Sequence, residues 1–359
     1  MRVYLLAGGG TAGHVNPLLA VADRIRRDDP NSTILVLGTA EGLEARLVPA
    51  RGYQLLVVEA LPFPRRPNRY AFGFPRRLRR AVDVVQSLIR THGVDVVVGF
   101  GGYASAPAYL AARREGIPIA IHEANVRPGL ANRLGARFTD FVGVAFRATR
   151  IHAATWVGMP LRLEIEQLDR FALRSEALRF FGLVDSQPIL LVSGGSSGAR
   201  RINETVADSI TTILGLGWQV IHLTGAYRES TPDRKLPGYV VLKYCDRMEL
   251  ALAVTDLSLG RAGTSTVAEL TALGIPAVFV PYPSGNGEQR LNCREAEQAG
   301  GAIVVSDREF TPAWVSRELV PVLQKRAMIA MMAARISTVG VRDGTDQMVA
   351  LVTRALSAK

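Results

Sequence analysis

Short apolar segments rich in β-branched residues alternate along the chain with longer amphipathic stretches. Such segments are typical of strands buried on both faces of a parallel sheet, and the stretches between them are typical of covering helices. The alternation therefore predicts an α/β protein built on parallel sheets. The predicted strands are residues 3–7, 33–37, 94–98, 117–121, 189–192, 219–223, 257–259 and 277–280.

This pattern starts twice, because a glycine-rich turn follows the first strand of each half, at residues 8–13 and again at 194–198. We therefore predict two doubly wound domains with a break near residues 160–168, and a length of 359 residues fits two domains. Ligands of such sheets bind beyond the carboxyl ends of the strands, so a cleft between facing domains is expected.

Composition adds a preference for acidic partners. The formal net charge is +11, which favours phosphates, nucleic acid or an anionic membrane as partners. Cysteine occurs only at Cys245 and Cys293, which excludes a disulfide framework and a cysteine zinc site.

No secretory signal is expected, and the uncharged stretch at 95–113 contains glycines and a proline that predict strand, turn and helix. Any membrane contact is therefore expected to be peripheral.

The first glycine-rich loop, residues 8–13, leads into a helix start at His14. Glycines let a backbone approach a ligand closely, and the helix offers free N–H groups. The loop formally matches G-x-G-x-x-G, but a dehydrogenase would carry an acid for the ribose after its second strand, and that strand ends in Gly38, Thr39 and Ala40. His14 is a candidate general base, with a structural histidine as the alternative.

Two further loops of the first half follow apolar strands. The glycine turn at 99–103 predicts a second backbone cradle, suited to an acceptor diphosphate. His122 and Glu123 come directly after the next strand, where polar side chains either take part in chemistry or anchor a loop.

The second half offers a third glycine loop, at 193–200, that is suited to a diphosphate. Arg162, near the predicted break, could neutralise a leaving phosphate, and Thr264 and Ser265 are expected to cap a helix. Glu269 could accept both hydroxyls of a ribose, although a helix-surface acid is the simpler interpretation, and the loop at 285–292 offers amides for sugar hydroxyls. The chain has no Asp-x-Asp and no metal-ligand spacing among its histidines, so no protein-held catalytic metal is expected.

A basic segment at residues 63–80 lies within an acid-free interval between Glu59 and Asp83. Arginines are interleaved there with aromatic residues, and exposed aromatics among basic residues suit the headgroups of an anionic bilayer. A solvated loop and a surface for single-stranded nucleic acid remain alternatives.

Taken together, these motifs resemble those of the MurG family of peptidoglycan N-acetylglucosaminyltransferases, in an actinobacterial-like version. In order along nearly the whole chain they are GGTAGHVNP at 9–17, GFGGYASAP at 99–107, HEANVRPGLAN at 122–132, GMPLR at 158–162, GGSSGA at 194–199, RAGTSTVAE at 261–269 and GNGEQRLN at 285–292. Ala124, Met159 and Ser197 depart from the usual family residues, so only main-chain contacts are carried over there.

The resemblance implies a GT-B fold of two Rossmann-like domains with a cleft between them. Residues 1–160 plus about 344–359 would form an acceptor and membrane-associating domain, and residues 161–343 would bind the UDP-sugar. The enzyme would be an inverting transferase that moves N-acetylglucosamine from UDP-N-acetylglucosamine to the muramyl 4-hydroxyl of lipid I and so forms lipid II, in cell-wall biogenesis that serves cell shape and division. It would lie peripherally on the cytoplasmic face of the plasma membrane, with residues 63–80 on the anionic lipid and no nucleic acid partner.

The resemblance also implies roles for individual residues. His14 would be the base, with Glu123 or Tyr103 assisting it. No tightly bound cofactor is implied, although a divalent cation could accompany the diphosphate. The implied substrate contacts are Thr11, Ala12 and Gly13 beside the sugar, Asn125 on the donor sugar, Arg162 and Ser196 on the diphosphate, the backbone near Cys245 on the uracil, the main chain at Thr264 and Ser265, Glu269 on the ribose and Gln289 on the sugar hydroxyls.

Two other functions remain open from the residues alone. An NAD(P)-dependent Rossmann oxidoreductase would explain the formal G-x-G-x-x-G, and a non-catalytic nucleic-acid-binding protein would explain the positive charge.

Overall fold

The computed structural model describes residues 1–64, 68–195, 198–225, 236–283 and 287–358. The chain forms two compact units, one of Met1–Arg162 with Asp343–Lys359 and one of Leu163–Arg342.

The first unit is a seven-stranded parallel sheet with the strand order β3-β2-β1-β4-β5-β6-β7. The order reverses direction between β1 and β4, where Ala7 pairs with Gly99. Its elements from the start of the chain are β1 (Val3–Ala7), α1 (Ala12–Asp28), β2 (Thr33–Gly38), α2 (Glu44–Ala50), β3 (Gln54–Val57), α3 (Arg69–His92), β4 (Val96–Gly99), α4 (Ser105–Glu115), β5 (Ile119–Glu123), α5 (Leu130–Gly135), β6 (Val142–Val144) and β7 (Ala154–Trp156).

The second unit is a six-stranded parallel sheet with the order β10-β9-β8-β11-β12-β13, which reverses between β8 and β11. A π-helical turn at Val315–Leu319 separates α13 from α14. The elements are α6 (Leu163–Glu166), α7 (Arg170–Phe181), β8 (Ile189–Ser193), α8 (Arg200–Gly215), β9 (Gln219–Leu223), β10 (Tyr239–Leu242), α9 (Met248–Val254), β11 (Leu257–Gly260), α10 (Thr264–Leu273), β12 (Ala277–Phe279), α11 (Glu288–Asn292), α12 (Arg294–Gln298), β13 (Ala302–Val304), α13 (Pro312–Trp314), α14 (Val320–Leu323) and α15 (Arg326–Ile336).

The last helix, α16 (Gly344–Ser357), belongs to the first unit. Its buried residues Met348, Leu351 and Val352 join the same core as Leu6 of β1 and Val98 of β4. Among the described residues, no helix combines the length and the apolar composition needed to cross a bilayer.

Every predicted strand is present within a few residues of its predicted bounds, but β3, β6, β7, β10 and β13 were not predicted. They are only three or four residues long and lie toward the sheet edges, where β3 and β7 are partly exposed and lack a continuous apolar run.

Candidate functional site

Glycine-rich turns follow both strands at the switch point of the first sheet, β1 and β4. Ligands of doubly wound sheets bind at such a point, beyond the carboxyl ends of the strands. The carbonyl oxygen of Ala7 joins the turns, because it accepts hydrogen bonds from the N–H of Phe100 (2.8 Å) and the hydroxyl of Ser105 (2.9 Å). The two predicted backbone cradles of this unit therefore lie side by side.

The two turns touch at positions where only glycine fits. Gly101 and Gly102 have φ values of 92° and 83°, in the left-handed region that side chains rarely adopt. A Cβ on Gly102 would collide with the backbone of Gly9, and a Cβ on Gly101 would lie 3.1 Å from Nε2 of His14. The turn after β4 thus packs directly against the loop that carries the candidate base.

His14 is half-buried in the first turn of α1, with Ala12 and Gly13 beside it and Thr11 just before the helix. Its Nδ1 is 2.9 Å from the carbonyl oxygen of Gly9. A carbonyl oxygen can only accept a hydrogen bond, so Nδ1 donates to Gly9 and carries a proton. In the neutral ring, Nε2 is therefore the nitrogen that can accept a proton, as a general base requires.

A carboxylate that the sequence patterns did not indicate holds the first glycine-rich loop through a hydrogen bond. Glu44, the first residue of α2, is fully buried. Its Oε2 accepts from the N–H of Gly10 (2.8 Å), and its Oε1 accepts from the N–H (3.0 Å) and the hydroxyl (2.7 Å) of Thr39. Burial acts to raise the pKa of the Glu44 carboxyl, but the hydrogen bonds from Gly10 and Thr39 outweigh it, and the pKa is lowered.

Glu44 also bears on the oxidoreductase alternative. In a dinucleotide-binding loop, the acid that follows the second strand binds ribose hydroxyls. Glu44 is bonded instead to the N–H groups of Gly10 and Thr39 and to the Thr39 hydroxyl, and its side chain fills the space beside the loop so closely that a Cβ on Gly9, Gly38 or Gly42 would collide with it. Glu44 therefore cannot bind the ribose of a dinucleotide in this arrangement.

Glu123 is buried at the end of β5 and anchors the loop that follows. Its Oε1 accepts from the N–H of Asn125 (2.9 Å), and its Oε2 accepts from the N–H of Gly129 (3.0 Å) and the amide of Asn132 (2.9 Å). Asn132 in turn accepts from the hydroxyl of Tyr109 (2.7 Å). These contacts favour the anchoring role for Glu123, and they place Asn125, half-buried, at the start of the loop.

His122 and Tyr103 differ sharply in exposure. His122 is completely buried and its Nε2 donates to the carbonyl of Gly158 (3.0 Å). Burial lowers the pKa of His122 to about 4, with a smaller contribution from nearby His14, and the Gly158 bond only partly opposes this. His122 therefore stays neutral near pH 7, whereas Tyr103 is 44% exposed and open to a ligand.

The second sheet has the third glycine loop at its own switch point. A Cβ on Gly194 would collide with the backbone N of Ala199, so Gly194 lies directly against the residue that precedes α8, which begins at Arg200. Ser196 lies outside the described residues, and its predicted diphosphate contact stays a prediction.

Asp307 links the start of α8 to the end of β11. Its carboxylate forms ion pairs with Arg261 (2.6 Å) and Arg201 (3.2 Å). Arg261 also donates to the carbonyl oxygens of Val280 (3.0 Å) and Pro281 (3.3 Å), and only 11% of its side chain is exposed. The arginine that opens the RAGTSTVAE motif is therefore held by the protein itself.

The predicted capping role of Thr264 and Ser265 is wrong. Helix α10 begins at Thr264, and the extended Gly263 is its N-cap, a position that glycine tolerates well. The hydroxyl oxygens of Thr264 and Ser265 are buried, and neither has a hydrogen-bond partner among the described residues. Together with the free N–H groups of the first helical turn, they suit an anionic or polyhydroxylated ligand.

The remaining predicted donor contacts lie on both units. Glu269 is half-buried in the second turn of α10, and Arg162 is half-buried at the end of the first segment of its unit. Gln289 accepts a hydrogen bond from the N–H of Tyr282 (2.9 Å), so its carbonyl oxygen holds a loop. Cys245 is buried in the segment between β10 and α9, and burial raises the pKa of its thiol. Because the side chain is enclosed, only a main-chain contact is carried over for this residue.

The basic segment is less aromatic at its surface than predicted. Phe74 is buried, and it packs against the half-buried Phe63 and Tyr70 in a small core of its own. The prediction of several exposed aromatics is therefore wrong: among the described residues of 63–80, Phe72 is the exposed one, at 85%. Exposed arginines of α3 accompany it, namely Arg69, Arg76, Arg79 and Arg80, and Arg65 and Arg66 lie outside the described residues.

Within the described ranges, no group of three or more histidine, cysteine or acidic residues could hold a metal ion.

Two family models match the chain. The glycosyltransferase family 28 N-terminal domain matches residues 4–144, and the glycosyltransferase family 28 C-terminal domain matches residues 189–348.

Curated relatives match the chain from end to end. A protein of Leifsonia xyli subsp. xyli is 60% identical, with both chains covered in full, and one of Streptomyces avermitilis is 47% identical over 99% of each chain. Both are named UDP-N-acetylglucosamine--N-acetylmuramyl-(pentapeptide) pyrophosphoryl-undecaprenol N-acetylglucosamine transferase.

Two solved structures have the same fold as this chain. The crystal structure of Acinetobacter baumannii MurG is 26% identical and superimposes with a TM-score of 0.81, over 99% of this chain and 100% of that one. The S. aureus protein MnaA, solved with UDP, is 11% identical over 96% of this chain and 94% of its own, with a TM-score of 0.69, which shows a shared fold alone. The predicted fold class, α/β with two Rossmann-like domains of the GT-B type, is confirmed.

Proposed function

The chain belongs to glycosyltransferase family 28, and on that premise we propose that it transfers N-acetylglucosamine from UDP-N-acetylglucosamine to N-acetylmuramyl-(pentapeptide) pyrophosphoryl-undecaprenol. The similarity to transferases of this name along the full length supports the proposal most strongly. The product is lipid II, a precursor of peptidoglycan.

In the proposed reaction, the muramyl 4-hydroxyl attacks the anomeric carbon of the donor sugar. The bond from that carbon to the UDP oxygen breaks, a β(1→4) bond forms with inversion, and the hydroxyl proton passes to Nε2 of His14. The Gly9 carbonyl supports this role, because it keeps the proton of the neutral ring on Nδ1. Tyr103 and Glu123 are weaker candidates for assistance, since the carboxylate of Glu123 is engaged by its own loop.

The leaving UDP needs its developing charge stabilised by donors that are already in place. We assign this role to the loop after β8, including Ser196, to the first turn of α10 with Thr264 and Ser265, and to Arg162. The remaining assigned contacts are Glu269 to the ribose, the main chain near Cys245 to the uracil, and Gln289, Asn125 and residues 11–13 to the sugar. A divalent cation could accompany the diphosphate.

A lipid acceptor implies work at a membrane surface. We propose that the enzyme lies peripherally on the cytoplasmic face of the plasma membrane, with the exposed arginines of α3 against anionic headgroups and Phe72 between them. No nucleic acid partner is proposed.

The test is transfer of label from UDP-[14C]N-acetylglucosamine to purified lipid I. We expect labelled lipid with a β-anomeric linkage in its NMR spectrum, and thermal protection by UDP-N-acetylglucosamine but not by UDP-glucose, UDP-galactose or NAD. His14→Ala should lower kcat by about 10²- to 10⁴-fold and leave UDP binding intact. Absence of labelled lipid, together with protection by NADH or by oligonucleotides, would contradict the proposal.

A further inference from the structure

The peptide group between Gly9 and Gly10 is bonded at both of its polar atoms. Its N–H, on Gly10, donates to Glu44 (2.8 Å), and its carbonyl, on Gly9, accepts from Nδ1 of His14 (2.9 Å). A trans peptide is planar, and its N–H and C=O point in opposite directions. Holding the N–H on Glu44 therefore aims the carbonyl at the histidine.

The local backbone preferences do not fix the orientation of this peptide group. It lies between two glycines, which give the backbone the widest choice of conformation, and Gly10 already has a φ of 87°. The backbone preferences of the two glycines would allow the peptide plane to rotate and turn the carbonyl away from His14. The hydrogen bond from Gly10 to Glu44 opposes this rotation, because it holds the N–H of the same peptide group. It joins residues that are 34 positions apart in sequence.

From these contacts we infer that Glu44 is a positioning residue, which sets the tautomer of His14 through the Gly9–Gly10 peptide. If the Gly9 carbonyl turns away, the group left at Nδ1 is the Thr11 hydroxyl, 3.4 Å away, which can donate to that nitrogen. The neutral imidazole then favours the proton on Nε2 and has no lone pair at the nitrogen that faces the turn after β4. The importance of that tautomer for activity rests on the proposed role of His14 as base.

Only a carboxylate makes all the observed bonds at this position. Both oxygens of Glu44 accept, one from Gly10 and the other from Thr39, and the lowered pKa of the carboxyl keeps it ionised. A glutamine has one acceptor oxygen and an amide that would oppose a backbone N–H donor. Glu44→Gln thus keeps the shape of the side chain and breaks the arrangement.

The experiment uses the full chain labelled with 15N-histidine, in which the ring nitrogens report the tautomer and His14→Asn assigns the signal. We expect the wild type to carry the proton on Nδ1 and Glu44→Gln to shift it toward Nε2. The kcat of the variant should fall by about 10²-fold, as for a catalytic group misplaced by about 1 Å, with unchanged UDP affinity.

Asp23→Asn is the matched control. Asp23 lies on the same helix as His14, and its carboxylate accepts hydrogen bonds from the hydroxyl of Tyr53 (2.8 Å) and from Arg51. The change has the same chemistry as Glu44→Gln but leaves the glycine loop alone, so we expect the wild-type tautomer and kcat.

A folded Glu44→Gln protein that retains the Nδ1 proton of His14 and the wild-type kcat would overturn the inference. If circular dichroism shows that this variant does not fold, Glu44→Asp is measured instead, since its shorter side chain cannot reach Gly10 and Thr39 together. The tautomer is read without substrate, whereas failure of the proposed function would appear as an inactive wild type, so the two results are separable.

Discussion

Thr345 and Leu161 form two hydrogen bonds across 184 residues of sequence. The N–H of Leu161 donates to the Thr345 hydroxyl (3.2 Å), and that hydroxyl donates to the carbonyl of Leu161 (3.1 Å). Next to this pair, a Cβ on Gly344 would collide with the backbone of Met159. The start of α16 is thereby fixed on the last residues of the first segment.

Thr345→Val should lower the free energy of unfolding by about 1–3 kcal/mol, because it leaves the buried N–H and C=O of Leu161 without partners. Denaturant unfolding measures the effect. Thr353→Val on the exposed face of the same helix removes only a bond to the carbonyl of Val349 and should change stability by no more than about 0.5 kcal/mol. Equal effects of the two variants would argue against a fixed contact at Leu161.

Asp307→Ala should destabilise the second unit by about 2 kcal/mol or more, because it leaves the largely enclosed side chain of Arg261 without its carboxylate. The control is Glu318→Ala, which removes an exposed pair with Arg317 and should cost about 0.5 kcal/mol at most. Thermal unfolding compares them, and a loss no larger than the control's would contradict the prediction.

Ser265→Ala should weaken UDP binding by roughly fivefold to tenfold, the contribution of one hydrogen bond, and should leave stability within about 0.5 kcal/mol. Its hydroxyl has no partner among the described residues, so folding does not depend on it. Thr255→Val is the opposite case, since that buried hydroxyl donates to Ala251 and its loss should lower stability without changing UDP affinity. Calorimetry that finds unaltered UDP affinity for Ser265→Ala would remove this hydroxyl from the proposed site.

His222 should make the second unit sensitive to mild acid. It is buried, with Nε2 donating to Asn203 (3.1 Å) and Nδ1 accepting from Tyr239 (2.8 Å), and burial lowers its pKa from 6.5 to about 4. Because the folded pKa is the lower one, the unfolded chain takes up the proton first. The contribution of neutral His222 to the free energy of unfolding is therefore complete above about pH 6.5. It is lost as the pH falls toward 4, by up to about 3 kcal/mol.

The measurement is thermal unfolding of the wild type and of His222→Gln between pH 7 and pH 4. The variant should show a shallower decline, since it lacks one titrating group. Parallel declines would mean that His222 does not contribute to the acid sensitivity.

Arg79→Ala combined with Arg80→Ala should weaken binding to vesicles that contain anionic lipid by about 2 kcal/mol, or roughly 30-fold. The control pair, Lys325→Ala with Arg326→Ala, removes the same charge from exposed positions of the second unit. Sedimentation with anionic and with zwitterionic vesicles distinguishes a local lipid contact from a general effect of net charge. Equal losses for both pairs would contradict a role for α3.

Much of the candidate site follows from local sequence. The glycine turns after β1, β4 and β8 lie where apolar strands end, and His14 lies in the first turn of the helix that its loop predicts. Helix α10 shows the limit of such reasoning, because Thr264 looks like a cap by residue type, whereas Gly263 takes the extended conformation that a cap requires. Likewise, Phe74 and Tyr70 read as surface aromatics until the fold encloses them.

The long buried strands, the two-unit organisation and the positions of the glycine-rich turns were determined by patterns of neighbours along the chain, since periodicity and turn chemistry are local properties. Tertiary structure alone decided that Glu44 lies beneath Gly10, that Asp307 joins Arg201 to Arg261, and that Thr345 meets Leu161. Each of these contacts joins residues far apart in sequence. A buried polar group takes its partner from whichever segment the fold brings near, and no local pattern records that choice.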